Sequence, residues 1–360
     1  MILTDIIEEH LEEADFLCQQ RGNALGDRVY DLGRLADLEE RLLAHLDGLL
    51  LAEADAWNFL NPKLTNGERG EAFAAAYVAL ATGDTGCRDE LTKALDQAEG
   101  PALEGITEAL RHSPSSDAEQ ILRSRLTAAK PCVRAFAVDT LSFRRAAIDE
   151  KQLELSLLDN DPAVLVAAAT AVGRLRVRPL MPRLEGLLGS DSPHVRCAAM
   201  RAGLLVGSEK ALAYCRAVIQ KKSEEASDAL TLIGLAGQAE DARLRVDTLN
   251  QPDSARSAVS ALGWLGYASA VDALIPLVAD PTLSRLAGEA IARITGLNLE
   301  KDHLVAITPP PPTSTTAAPS TAQAADDDDF VEDPDEGLPW PDPAKLASWW
   351  KTNAARFNTT

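Results

Sequence analysis

Three segments share one frame: Lys130-Pro131-Cys132-Val133-Arg134-Ala135, Asp161-Pro162-Ala163-Val164-Leu165-Val166 and Ser192-Pro193-His194-Val195-Arg196-Cys197. Their prolines, Pro131, Pro162 and Pro193, are evenly spaced. Pro101 falls almost one such interval before the first of them, and Gln251-Pro252 with Arg256 and Asp280-Pro281 with Arg285 continue the series. One register, near Lys222 to Ala226, keeps its place without a proline. Pro suits the first helical position because its missing N–H has no partner there, and Asp or Ser before it suits an N-cap. Each frame therefore opens a helix, and Val195, Ala198, Ala199, Ala202 and Leu205 give it an apolar face at helical spacing. Gly173, Gly207, Gly234 and Gly266 are expected to end these helices. A second helix follows, as in Leu180, Leu184, Leu187 and Leu188, or Val271, Leu274, Ile275 and Val278. A two-helix unit of this size cannot bury its apolar face alone, so successive units must stack.

Working outward, residues 61–100 read as a degenerate first repeat. Residues 1–60 read as an acidic helical hairpin with a break at Arg21-Gly22-Asn23-Ala24-Leu25-Gly26 and a second helix from Asp27 to Leu60. This first sixth holds 14 acidic and 4 basic residues, half of the net charge of -20. After Leu304 the composition changes: Thr308-Pro309-Pro310-Pro311-Pro312 leads through Thr, Ala and Ser to Asp326 to Asp329, a stretch without core-forming residues that is expected to be a disordered tether. Leu338-Pro339-Trp340-Pro341-Asp342-Pro343 and a short helix with Leu346, Trp349, Trp350 and Phe357 close the chain. The expected organisation is an acidic hairpin at 1–60, a repeat solenoid at 61–300, a Pro/Thr/Ala-rich and acidic linker at 301–337, and a Trp-containing helix at 338–360.

Composition limits the functions available. Hydrophobic residues make up 46% but aromatic residues only 4%, which favours close-packed Ala- and Leu-rich helices over a β-sandwich. The excess of 55 acidic over 35 basic residues opposes binding to phosphate backbones or anionic lipid, so neither nucleic acid nor a membrane is expected as a partner. No apolar run reaches the ~20 residues of a membrane span, and the N-terminus lacks a signal-peptide pattern. The five cysteines are odd in number and never form a CxxC pair, which fits reduced thiols in a cytoplasm.

Segments of the form D-P-x-V, S-P-x-V-R-x-A-A and A-x-x-A-L-G-W-L-G resemble HEAT-repeat α-solenoids, specifically the short HEAT-like repeats of phycobilin lyases. The resemblance covers about residues 100–300 and implies an all-α solenoid of HEAT-like helical hairpins. The combination of acidic hairpin, repeats, acidic linker and LPWPDP…WW segment is similar to a proteobacterial HEAT-repeat family whose genes often lie near type VI secretion clusters. That similarity implies an accessory or adaptor role, and a family pattern that continues with further helices beyond the Trp pair.

No HExxH, GxSxG or GxxxxGK[ST] pattern and no metal-spaced Cys/His set occurs, so no catalytic residue, cofactor site or metal site is assigned. His10 and Glu13 share a helix face, but two ligands do not make a metal site, and a solvated acidic helix is expected there. Gly263-Trp264-Leu265-Gly266 reads as a helix end beside a packed Trp. Cys197 and Cys215 read as small core residues. Arg134, Arg196, Arg256 and Arg285 have two readings: an anion-binding ladder, or arginines pairing with a turn Asp or carbonyl of a neighbouring repeat, which is the expected one.

The candidate partner-binding residues are Arg174, Arg176, Arg178 and Arg183, crowded around one turn of an acidic chain, together with Trp340, Trp349 and Trp350. The arginines read first as a solvated face, and otherwise as a basic patch for an acidic partner or the chain's own Asp326 to Asp329. The tryptophans suit either a helix folded back on the solenoid or a tethered anchor for another protein. The function expected is a non-catalytic scaffold or adaptor for an unidentified protein. The alternatives are a HEAT-class enzyme, such as a chromophore lyase or a DNA glycosylase-like solenoid, and a chaperone or neutraliser of a secreted toxin.

Overall fold

The computed structural model describes residues 4–27, 29–246, 248–249, 252–307 and 333–357. Among these the regular structure is helical throughout, apart from a single bridge between Val305 and Pro341. The chain divides into two compact units, residues 1–211 and 212–360.

The first unit opens with α1 (Thr4–Ala24) and α2 (Leu32–Leu51). Asp31 caps α2 by accepting the Arg34 backbone N–H at 2.8 Å. The single helix expected from Asp27 to Leu60 is instead broken: Glu53 has a φ of +46°, and α3 (Glu53–Leu60) sets off as a separate helix. The long leucine stripe does not reveal this break, because Leu49, Leu50 and Leu60 all read as one face while the backbone turns between them. His10 also departs from the solvated-helix reading. It meets His45 of α2 with their Nδ1 atoms 3.1 Å apart, and Gly48 leaves room for its ring.

After the short α4 (Lys63–Asn66), hairpins follow in register: α5 (Arg69–Ala81) with α6 (Thr85–Gln97), α7 (Gly100–His112) with α8 (Ser116–Arg125), and α9 (Pro131–Phe143) with α10 (Glu150–Ser156). Next come α11 (Pro162–Leu175) with α12 (Met181–Leu187), and α13 (Pro193–Val206). Pro131, Pro162 and Pro193 each occupy the first helical position. Of the residues before them, only Asp161 caps with its side chain, accepting the Ala163 N–H at 2.9 Å. Within residues 61–100, α5 and α6 form a helical hairpin. Almost every face of α5 is buried, Phe73 through Ala76 included, because its alanines let α1, α2 and α7 approach together.

The first helices of successive hairpins pack on one another, and small residues set how closely they do so. Gly105 of α7 lies against the backbone of α5, where an added Cβ would overlap the Arg69 carbonyl oxygen and come within 2.8 Å of the Phe73 nitrogen. Gly173 lies inside α11 rather than ending it, and an added Cβ there would sit 2.7 Å from Ala202 Cα of α13. The left-handed residue that ends α11 is Arg176, with a φ of +56°. Gly207 does end α13 in the left-handed conformation.

A buried charge cluster ties four helices together. Arg21 of α1, 6% exposed, donates to Glu39 of α2 at 2.9 Å and to Glu108 of α7 at 2.7 Å. The other carboxylate oxygen of Glu108, itself 7% exposed, accepts from Arg69 of α5 at 2.7 Å. Cys18 lies in the same core, where burial, aided by the charge of Glu108, pushes its thiol pKa up to about 12 and keeps it inert.

The helix α14 (Glu209–Lys221) spans the division between the units in sequence. The second unit continues with α15 (Ala226–Ala236), α16 (Asp241–Val246), α17 (Pro252–Leu265), α18 (Val271–Leu274) and a 3-10 turn, Ile275–Ala279. It ends with α19 (Ser284–Thr295) and α20 (Pro343–Asn353). The register without a proline is α15, which holds its place in the series. Gly234 and Gly263 repeat the close-packing device, facing Ala261 and Ala290 of the next first helix. Gly234 therefore does not end its helix, whereas Gly266, at a φ of +76°, follows the end of α17. Pro281 is not at a first helical position: Asp280 accepts the Thr282 N–H at 2.9 Å and α19 begins at Ser284. Trp264 is 39% exposed, under Arg293 rather than packed in a core. Cys215 is buried, while Cys197 is only half-buried.

Most of the expected linker, residues 308–332, lies outside the described residues, including Asp326 to Asp329. Its described flanks hold to the second unit, through Leu304 on one side and through Asp333 and Asp335 on the other.

Candidate functional site

The repeat arginines define the local chemistry. In the first unit, Arg134 forms a two-point pair with Asp159, at 3.0 and 3.1 Å, and also donates to the carbonyls of Ala128 and Ala129. Burial works against the Asp159 charge, but the Asp161 N–H and the Arg134 guanidinium hold its pKa below the usual carboxylate range. Arg196 donates to the carbonyls of Ser190 and Asp191. These arginines fasten turns between helices.

In the second unit the same positions grip a different segment. Arg256 of α17 donates to the Thr282 carbonyl at 2.9 Å and, through two nitrogens, to the carboxylate of Asp335 at 2.5 and 3.1 Å. Arg285 of α19 donates to the Asp335 carbonyl at 2.9 Å and to both carboxylate oxygens of Asp333 at 2.5 and 2.6 Å. Arg285 also stacks over Trp340, 4.7 Å from the ring centre. Asp335 is only 3% exposed, and Arg256 and Arg285 supply hydrogen bonds that its buried carboxylate and carbonyl need. Pro341 packs on Gly288, where any side chain would collide with it. Residues 340–342 pair with the chain at 304–306: the Ala306 N–H donates to Trp340 at 2.8 Å and the Asp342 N–H to Leu304 at 2.7 Å.

Asp342 then caps α20 through the Ala344 and Lys345 N–H groups. The helix packs on the 3-10 turn, with Leu346 fully buried. Trp350 is buried as well, and its indole N–H donates to Asp272 of α18 at 2.7 Å. Trp349 is half-buried against Phe357. Trp340 and Trp350 thus both face the chain's own repeats.

Acid should loosen this attachment in a defined window. The Arg285 hydrogen bond and the Asp335 N–H hold the Asp333 pKa below its ordinary 3.8. A depressed carboxylate contributes stability above the unfolded pKa and loses it as pH falls through the folded one. The Asp333 contribution is therefore expected to be constant from pH 7 to about 5 and to fall only below about 4. Fluorescence of the C-terminal tryptophans across a pH titration, compared with an Asp333→Asn chain, checks this.

The four arginines singled out in the first unit do not form one patch. Arg183 pairs with Glu154 at 2.9 Å, while Arg176 and Arg178 are exposed and make no ion pair among the described residues. Arg174 joins a cluster that the sequence does not reveal. It donates to Asp139 Oδ1 at 3.0 Å and to Ser142 at 2.7 Å, while Arg111 donates to Asp139 Oδ2. Both guanidiniums stack over the exposed ring of Phe143, at 5.5 and 5.7 Å. Arg144 donates to the carbonyls of Leu110 and Ser113, and the exposed Arg145 to the carbonyl of Arg174. The signal available in the sequence is an arginine at the C-terminal end of three successive first helices. Beside this cluster a groove of about 390 Å³ crosses α7, α9 and α11, floored by Leu103, Phe136 and Val166 and reaching Arg111 and Asp139.

A larger cleft of about 660 Å³ lies over Leu50, Trp57 and Val78 with Glu53 and Asp84 at its edge. Its Cys87 thiol has a raised pKa, from burial and then from the charge of Asp84, and no histidine lines the cleft to activate it. Among the described residues, no three His, Cys, Asp or Glu side chains are grouped to hold a metal ion. No described helix is long and apolar enough to cross a membrane.

No protein-family profile and no curated protein sequence matches the chain. Among solved structures, it is similar to YibA of E. coli at 18% identity and a TM-score of 0.39, over 69% of this chain and 91% of that one. It is also similar to an engineered protein at 16% identity and a TM-score of 0.37, over 80% of this chain and 88% of that one. The helical hairpins themselves establish the all-α, solenoid-like fold.

Proposed function

We propose that the chain is a non-catalytic scaffold that binds other proteins along the first helices of its repeats. The observation that carries this reading is the groove over α7, α9 and α11, which reaches Arg111 and Asp139, the residues that join Arg174 and the exposed Phe143 in one cluster. A trough that combines Leu103, Phe136 and Val166 with Glu104, Thr107 and Thr170, beside a cluster of arginines over Phe143, suits a peptide or helix that places apolar anchors in the trough and an acidic group at the arginine edge. Arg145, which reaches the Arg174 carbonyl, adds positive charge that would steer such a partner toward this edge of a protein carrying a net charge of -20. The resemblance to HEAT-repeat proteins encoded near type VI secretion clusters supports an adaptor accessory to that machinery, acting in the cytoplasm.

A photo-cross-linking residue at position 143 tests the reading in cells. The expected result is one protein captured at 143, not captured from position 120 on α8, and reduced at least about tenfold by Arg111→Glu with Arg145→Glu. Equal capture at both positions, or capture indifferent to the arginines, would contradict it.

A further inference from the structure

We propose that the face of the second unit formed by Arg256, Arg285 and Asp272 is a recognition site for a partner peptide carrying Asp-x-Asp followed by Trp, with residues 333–350 as its resident, displaceable occupant. The proposal rests on the scaffold reading and places a second, separately testable site within it.

The first support is the difference between repeats. Arg134 finds its carboxylate, Asp159, in the next turn of the repeats themselves. Arg256 finds only a carbonyl there, since Asp280 caps its own turn through Thr282. Its carboxylate comes from Asp335, 79 residues away. Arg285, whose side chain is 13% exposed, likewise relies on Asp333 and on the Asp335 carbonyl. Two arginines on successive first helices therefore require an acidic segment from outside the repeats. Asp333 and Asp335 meet that requirement from one turn, in which the Glu336 N–H donates to the Asp333 carbonyl and the Leu338 N–H to the Asp335 carbonyl, both at 3.0 Å.

The second support is how the occupant is held. Two charged pairs, one cation–π stack and one indole hydrogen bond fix the segment on the repeats, two main-chain hydrogen bonds join it to residues 304–306, and Leu346 and Trp350 supply the buried apolar anchors. This is the pattern of a peptide bound at a few anchors on a preformed surface. Gly263 of α17 packs directly on Ala290 of α19, a contact between the two helices that does not involve residues 333–350. The chain between Ile307 and Asp333 joins the occupant covalently to the repeats. A covalent tether gives an effective concentration of about millimolar, so a free peptide of equal affinity competes poorly until the resident contacts are weakened.

The test uses full-length chains and a fluorescent synthetic peptide of residues 333–350, read by anisotropy. Wild type is expected to bind it weakly. A chain with Asp333→Asn, Asp335→Asn and Trp350→Ala keeps the receptor face and weakens the occupant, and is expected to bind at least about tenfold more tightly. Adding Arg256→Glu and Arg285→Glu is expected to abolish binding. Hydrogen exchange on the same chains monitors α17 and α19. Failure of the weakened chain to bind while these helices stay protected would overturn the proposal. So would loss of their protection on weakening, which would make residues 333–350 an integral part of the repeat core. Neither outcome bears on position 143, so the groove in the first unit stands or falls by its own test.

Discussion

Replacing Glu108 by alanine is expected to destabilise the first unit by up to ~3–5 kcal/mol, the cost of removing one partner of a buried ion pair, with Glu39 left as the remaining carboxylate for Arg21. Glu108 holds Arg21 with one carboxylate oxygen and Arg69 with the other, and Arg21 is too deeply buried to recover its hydration by a rotamer change. Glu39 still faces Arg21 but is half-exposed, and it offers Arg69 nothing. Because Arg21, Arg69 and Glu108 lie on α1, α5 and α7, their loss should loosen all three helices together. Urea unfolding followed by hydrogen exchange in these helices measures it. Replacing the cluster as a set, by Arg21→Met, Arg69→Met and Glu108→Leu, should recover much of the loss, because no unpaired charge is then left behind. A shift below about 1 kcal/mol for Glu108→Ala would show that water reaches Arg21.

Gly105→Val is expected to be of similar size for a steric reason. A Cβ at this position overlaps the Arg69 carbonyl oxygen, a backbone atom that cannot rotate away, and the two valine methyls enlarge the conflict. Overpacking of this kind costs about 1–3 kcal/mol, and more where the opposing group is main chain. The helices must separate, which also strains the Glu108 to Arg69 bond. Gly186→Ala, where nothing lies within 4 Å of an added Cβ in helix α12, is the control and should raise stability by about 0.4–1 kcal/mol. Thermal unfolding of the three proteins distinguishes the outcomes.

The repeat frame is legible because its determinants are neighbours in sequence. Pro131, Pro162 and Pro193 begin helices for reasons confined to one turn, and Val164, Ala168 and Ala171 show their buried face through spacing alone. The glycines mislead because Gly173 and Gly234 are placed by the first helix of the following repeat, and a helix-ending glycine looks the same in a sequence. The partners of Arg256 and Arg285 lie beyond any local pattern, 79 and 48 residues away. Pairing of the turn arginines can be anticipated, but not that the C-terminal segment supplies the acid for two of them. The cluster over Phe143 gathers residues from α7, α9 and α11, and only stacking brings them to one edge. His10 and His45 meet for the same reason, across the α1–α2 hairpin.

The claim that joins these observations is that repeat arginines hold an acidic, Trp-bearing segment on the surface of the second unit. Hydrogen exchange of the intact wild-type chain, beside one carrying Arg256→Glu and Arg285→Glu, tests it most directly. The account predicts strong protection of the amides from Leu346 to Trp350 in the wild type, lost in the variant while α9, α11 and α13 keep theirs. Free exchange of these amides in the wild type, or equal protection in both chains, would contradict it.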